Sequence, residues 1–176
     1  MVLYMAFLRG INVGGNHLIK MADLKRVLEQ LGMQRVRTYI QSGNVLFESA
    51  DDADVLEARF EESLAGAFGF PVPTMIRSRD EMKAIRNRCP YSFEGLAEGQ
   101  SIHLSLLKEP PTEQDIRNIP DIDCGLDEYK IDGRAIYWFF SQSMLDSKLP
   151  KKLQKIGPAT MRNWKTVLKM VELSES

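Results

Sequence analysis

The sequence predicts an α+β chain in which one split β-α-β arrangement is used twice. Two observations carry this. Strand-period and helix-period segments follow the order β-α-β-β-α-β over residues 2–78, and β-α-β-β-α recurs over residues 100–156. No low-complexity linker separates the halves, so they are expected to pack together.

The first half is justified element by element. Val2 to Leu8 is continuously apolar, which suits a strand covered on both faces. Met21, Leu24, Val27, Leu28 and Leu31 repeat at helical spacing, and Gly32 stands at the C-terminal cap. Val36, Thr38 and Ile40 alternate with Arg37, Tyr39 and Gln41. Ser42-Gly43 breaks that run and Val45-Leu46-Phe47 resumes it, which predicts a β-hairpin. Asp51 and Asp52 precede a helix carrying Leu56, Phe60, Leu64 and Phe68, closed by Gly69. Pro71 to Ile76 reads as a further short strand.

In the second half, Ser78 and Glu81 have capping-box spacing before a short helix with Met82 and Ile85. Residues 90–99 read as loop. Ile102, Leu104 and Leu106 alternate with His103 and Ser105, a one-sided strand that turns His103 away from the core. Thr112 and Asp115 repeat the capping spacing before Ile116 and Ile119. Asp132-Gly133, between Tyr129–Ile131 and Ala135–Phe140, is the strongest hairpin signal in the chain. Leu145, Leu149, Leu153 and Ile156 form a helical stripe ended by Gly157-Pro158. Thr160 to Trp164 opens a last helix with Val167, Leu168 and Val171, and Thr160 or Asn163 is its N-cap. The expected domains are 1–78, bearing a Gly-rich loop, and 79–176, bearing basic C-terminal helices.

Composition narrows the function classes. The 176 residues carry a net charge of −1 and 44% apolar residues, so the chain is no nucleic-acid polycation. The opening MVLYMAFLR reads as a strand rather than a leader, and no apolar run approaches the ~18 residues of a membrane span. Cys89 and Cys124 lie far apart with no CxxC partner, which suits a reduced, cytoplasmic setting. Two cysteines and two scattered histidines make no metal spacing, and no cofactor is implied. Charge is sorted along the chain. Residues 148–170 hold seven basic and no acidic residues, whereas 94–128 hold nine acidic and two basic. The basic run is either a solvated helix face or a groove for phosphates.

The loop LRGINVGGNH, residues 8–17, is the first candidate for chemistry. It follows a strand and precedes a helix, where backbone amides and a helix N-terminus can hold an anion. Its spacing matches neither GxGxxG nor GxxxxGK[ST], so no nucleotide fingerprint is present. It is also longer than the ~2–6 residues usual for such a link. Gln41-Ser42-Gly43-Asn44 is a tight turn at the same ends of the strands. Ser42 lies in no GxSxG elbow, and no spacing sets His17 or His103 as its base. Asn44-Val45-Leu46-Phe47-Glu48 lacks the aromatic signature of an RNA-recognition strand.

Four motifs, LRGINVGG at 8–15, TYIQSGNVLF at 38–47, SKL at 147–149 and TMRNWKTV at 160–167, resemble a bacterial family of unknown function, DUF1697. The resemblance implies two ferredoxin-like subdomains and carries no activity, substrate or cofactor; that the two arose by duplication is inferred from the repeated element order alone. Its motif positions here are Arg9, Gly10, Asn12, Gly14, Gly15, Met21, Thr38, Tyr39, Gln41, Ser42, Gly43, Asn44, Ser147, Lys148, Arg162, Asn163 and Trp164. Related sequences often place lysines after the double glycine. Here Asn16-His17-Leu18 stand instead, and Lys20 is the loop's only lysine.

The polar motif residues gather at turns and at a helix start rather than at core positions. The expected ligand-binding set is therefore Arg9, Gly10, Asn12, Gly14, Gly15, Gln41, Asn44, Lys148 and Arg162, drawn around one pocket where the subdomains meet. The expected occupant is an anionic small molecule, bearing phosphate or carboxylate, or an RNA backbone. The alternatives are an enzyme on a phosphorylated or acyl substrate, assisted by His17 or Ser42, and a structural or partner-binding protein.

Overall fold

A computed structural model describes residues 1–176. The chain forms two compact units, Met1–Ala84 with Lys169–Ser176, and Ile85–Leu168. In chain order the elements are β1 (Val2–Leu8), α1 (Met21–Gln30), β2 (Gln34–Tyr39), β3 (Asn44–Ser49), α2 (Ala53–Phe68), β4 (Thr74–Ser78), α3 (Arg79–Asn87), β5 (Ser101–Leu107), α4 (Glu113–Arg117), β6 (Glu128–Asp132), β7 (Ala135–Phe140), α5 (Leu149–Lys152), β8 (Ala159–Asn163) and α6 (Trp164–Ser174). The fold is α+β, with two ferredoxin-like subdomains. The two antiparallel sheets have orders β2-β3-β1-β4 and β6-β7-β5-β8, the same split arrangement twice.

In the first unit, α1 and α2 cover one sheet face. Leu24 and Leu28 of α1 and Leu56, Phe60 and Leu64 of α2 close on Tyr4, Ala6, Leu8, Val45, Phe47 and Ile76. Burial on this scale stabilises by roughly 25 cal/mol per Å² of apolar surface removed from water. The alternate β1 residues Met5 and Phe7 are fully buried as well, so the uninterrupted apolar run does occupy a strand covered on both faces. Gly69 ends α2 in the left-handed conformation, its N–H donating to Ala65 O.

The second unit repeats the topology with much shorter helices: α4 has five residues and α5 four. Leu107, Ile136, Trp138 and Phe140 on the sheet pack with Leu149, Leu153 and Ile156. Thr112 caps α4 through a full capping box with Asp115.

Four sequence expectations are corrected. Ala159–Asn163 is a strand, not the start of the last helix, because it pairs with β5 from Ala159↔Leu107 to Asn163↔His103. Asn163 does cap α6, its Oδ1 accepting from Lys165 N at 2.9 Å. The stripe Leu145 to Ile156 is not one helix. A 3₁₀ turn at Met144–Asp146 leaves Leu145 90% exposed, and Pro150, which lacks an N–H, is confined to the first turn of α5. Residues 71–73 precede β4 rather than forming it, since Pro71 and Pro73 have no ladder donor. Strand β5 is not one-sided. Ile102, Leu104 and Leu106 are buried, and on the opposite face Ser105 accepts from Trp138 Nε1 at 2.9 Å. His103 shares that second face, set edge-on to Phe140, and burial lowers its pKa.

The two units also correspond at individual positions. Arg9 N donates to Pro73 O at 2.9 Å, and Lys108 N donates to Pro158 O at 3.2 Å. Arg77 pairs with Met5, four residues after Pro73, and Arg162 pairs with Leu104, four residues after Pro158. Both arginines are buried, and each Nη1 donates to the carbonyl of the preceding residue at 3.0 Å.

The turn before β3 brings Gly43 against β1. Its φ is +87°, and a Cβ there would lie 2.8 Å from Leu8 Cβ and 3.0 Å from Ile11 Cδ1. Gly43→Ala is expected to lose about 1–3 kcal/mol in urea unfolding, from strain plus the clash. Gly14→Ala, also at positive φ but in open space, loses only the backbone part, about 1–2 kcal/mol. Equal losses would mean that the close approach contributes nothing.

Candidate functional site

Strand β1 ends with two tethers. Leu8 N donates to Gly43 O at 2.8 Å, and Arg9 N to Pro73 O at 2.9 Å. The chain then folds into a small hairpin of its own. Asn12 N donates to His17 O, Asn16 N donates to Val13 O, and Gly14-Gly15, both at positive φ, form the two-residue turn. The double glycine thus satisfies a turn geometry.

Asn12 fastens this hairpin. Its Oδ1 accepts from Ile19 N at 2.8 Å, and its Nδ2 donates to Ile19 O at 3.0 Å and to Gln41 O at 2.7 Å. Asn12 sits at φ +55°, a left-handed conformation that asparagine tolerates better than most residues. Buried Ile11 and Ile19 anchor both ends of the loop in the core, and the His17 ring stacks on Phe70 at 4.1 Å. The loop is therefore long but well fastened.

Beside it lies a shallow cleft of about 470 Å³, lined by Asn12, Leu18, Ile19, Lys20, Met21, Asp23, Gln41 and Phe68. The N-terminus of α1 opens here. Lys20 is its N-cap and makes no capping hydrogen bond, so the amides of Met21, Ala22 and Asp23 precede the first intrahelical bond, Leu24 N to Lys20 O, with no side-chain cap. Lys20 and Gln41 are exposed, as is Arg9 at the start of the loop. Asp23 is paired with Arg26 at 2.8 Å.

The expected site residues distribute as follows. Asn12 and Gln41 are brought together at the cleft. Gly10, Gly14 and Gly15 shape the loop and are exposed. Asn44 is fully buried, and its Nδ2 donates to Tyr39 O and Ser42 Oγ, so it braces the turn from inside. In the second unit, Lys148 is exposed at the N-cap of α5. Arg162 is buried, with Nη1 donating to Thr160 Oγ1 at 2.8 Å and to Met161 O at 3.0 Å. Burial pulls its pKa down to about 10, which leaves it charged at neutral pH.

Sequence reasoning did not include Lys20, Leu18 or Phe68 in the site, although the lone lysine before a helix was a visible signal. It also missed Arg77, the positional equivalent of Arg162. The signal there is the pair Pro73-Thr-Met-Ile-Arg77 and Pro158-Ala-Thr-Met-Arg162, offset by one residue inside.

The SKL segment is held by Asp127. Its carboxylate accepts from Ser141 N and Oγ at 2.7 Å each, from Gln142 Nε2 at 3.1 Å and from Ser147 Oγ at 2.6 Å. Ser147 Oγ in turn accepts from Leu149 N and sets the start of α5.

A family model described as "Protein of unknown function (DUF1697)" matches residues 1–137. Among solved structures, the chain is similar to a conserved bacterial protein from Streptococcus pneumoniae, with a TM-score of 0.80 and 25% identity over 97% of each chain. No curated protein matches the sequence.

Burial pushes the Asp127 carboxyl up, but the hydrogen bonds from Ser147, Ser141 and Gln142 outweigh it and hold the pKa below the usual 3.8. A depressed folded pKa stabilises above the unfolded value, and that contribution is lost as pH falls through the folded value. Stability should therefore decline below about pH 4, and Asp127→Asn should flatten this decline while costing about 1–3 kcal/mol at neutral pH. Acid unfolding curves of the two proteins with the same slope would refute the clasp.

Proposed function

The chain belongs to the DUF1697 family, and we propose that it binds an anionic small molecule, carrying phosphate or carboxylate, in the cleft between the hairpin loop and α1. The carrying observation is the uncapped α1 N-terminus, which opens beside the cleft with Lys20 at its N-cap. Such an end concentrates free N–H donors and about half a positive charge. Lys20 adds a full charge, and Gln41 adds an amide that can donate or accept. Arg9, exposed at the start of the loop but outside the cleft lining, adds positive charge to the loop, and Gly10, Gly14 and Gly15 leave the loop backbone exposed. Asn12 acts by positioning, because its amide is already engaged with Ile19 and Gln41.

Binding is favoured over catalysis at this site. Ser42 Oγ accepts from Asn44, and His17 is stacked on Phe70, so neither is arranged as a nucleophile with its base. The free thiols Cys89 and Cys124 support a cytoplasmic location. A second reading, docking of a protein partner, draws on Val13 and Leu18, which are 66% and 69% exposed on the same loop.

The test is a thermal-shift screen against phosphate, sulfate, nucleotides, phosphorylated metabolites, organic carboxylates and short RNA. A ligand at about 100 times its Kd adds about 2.7 kcal/mol, which raises Tm by several degrees for a chain of this size. The expected result is a shift by a small anion that Lys20→Ala and Arg9→Ala each reduce. A shift by RNA alone, steeply weakened by salt, would replace the small-molecule reading with nucleic-acid binding. No shift from any anion would overturn the proposal and favour the protein partner.

A further inference from the structure

The second unit contains a cleft of different character. Because α4 and α5 are so short, the helical layer over its sheet is incomplete, and a cavity of about 330 Å³ opens between them. Its apolar lining includes Ile119, Ile122, Leu153 and Ile156, of which Leu153 and Ile156 also belong to the unit's core.

The rest of the lining holds Asn118, Pro120, Gln154 and four charged residues. Lys151, Lys152 and Lys155 face the cleft against a single carboxylate, Asp115. That carboxylate is committed to the α4 cap, accepting from Thr112 N at 2.8 Å. Lys152 is drawn aside, with Nζ 3.4 Å from Ile122 O and 5.6 Å above the Tyr129 ring. Lys151 and Lys155 are exposed at the end of α5 and just beyond it. The site thus pairs an apolar wall with a rim on which Lys151 and Lys155 are exposed.

We propose that this cleft binds a small amphipathic organic anion. A short acyl or aryl body lies on Ile119, Ile122, Leu153 and Ile156, and a carboxylate or phosphate head meets Lys151 and Lys155. The volume lies at the lower end of the ~300–1,000 Å³ range of small-molecule pockets, so it admits a single short body rather than a lipid. An inorganic anion makes no use of the apolar wall, and a neutral apolar molecule makes none of the lysines.

An amide NMR titration of the full chain tests this with hexanoate, benzoate, hexyl phosphate, hexanol and inorganic phosphate. The amphipathic anions are expected to move amides of residues 119–122 and 151–156, with hexanol and inorganic phosphate each binding much more weakly. Lys151→Gln with Lys155→Gln removes both exposed cations and should weaken hexanoate by about tenfold. Both lysines are exposed, and a well-dispersed spectrum of the variant verifies its fold. Hexanol binding as tightly as hexanoate would overturn the role of the rim. Inorganic phosphate binding as tightly would overturn the role of the wall, and no movement of these amides with any compound would overturn the site. Lys20→Ala, in the first unit, should leave this titration unchanged, which separates the outcome from that of the loop cleft.

Discussion

The close approach of Gly43 to Leu8 is the constraint on which the first unit's candidate site depends. Only a residue without a Cβ lets the 40–43 turn lie against the end of β1. From that contact follow the Leu8 N–Gly43 O bond and the docking of Ile11 beneath the turn. The Gln41 carbonyl is then placed where Asn12 reaches it at 2.7 Å. The end of β1, the hairpin loop that follows it directly and the turn twenty-nine residues further along the chain are thereby held as one rim around a cleft. A loop of this length would otherwise lose much of its order to chain entropy.

The two units apply one topology to different ends. Their sheets match strand for strand, and the correspondences Arg9 with Lys108, Pro73 with Pro158 and Arg77 with Arg162 follow from the same hydrogen bonds and registers. What differs is the helical layer. In the first unit α1 and α2, of ten and sixteen residues, cover the sheet, and the open cleft is displaced to the strand ends. In the second, helices of five and four residues leave the cover incomplete, so the cavity lies within the layer itself. One cleft is bounded by backbone donors and the other by an apolar wall with lysines.

Electrostatics follows a similar logic in the second unit. Acidic residues dominate 94–128 and basic ones 148–170, yet the fold brings parts of these segments together. Lys152 Nζ lies 3.4 Å from Ile122 O, and Asp127 takes hydrogen bonds from Ser141, Gln142 and Ser147, just ahead of the basic segment. Asp115 and Asp127 are thus engaged with a helix cap, hydroxyls and amides, and Lys151 and Lys155 stand exposed at the cleft.

The order of elements was legible in the sequence because it rests on local physics. Period-two and helical spacing, glycines in left-handed caps and the Asp132-Gly133 turn each act over a few residues. The Gly-rich loop was likewise readable as a loop, but not the role of Asn12, whose decisive partner is twenty-nine residues away. Residues 159–163 looked like the start of a helix because Asn163 is a true cap. They form a strand because β5 offers them an open edge, a fact no local window contains. His103 and Ser105 looked solvent-facing by alternation, yet Trp138 and Phe140 meet them. The sequence by itself determined the strand and helix alphabet and the repeated topology. Tertiary structure decided which edges pair, which polar atoms are consumed in bracing and which remain open to a ligand, because those outcomes depend on contacts between distant segments.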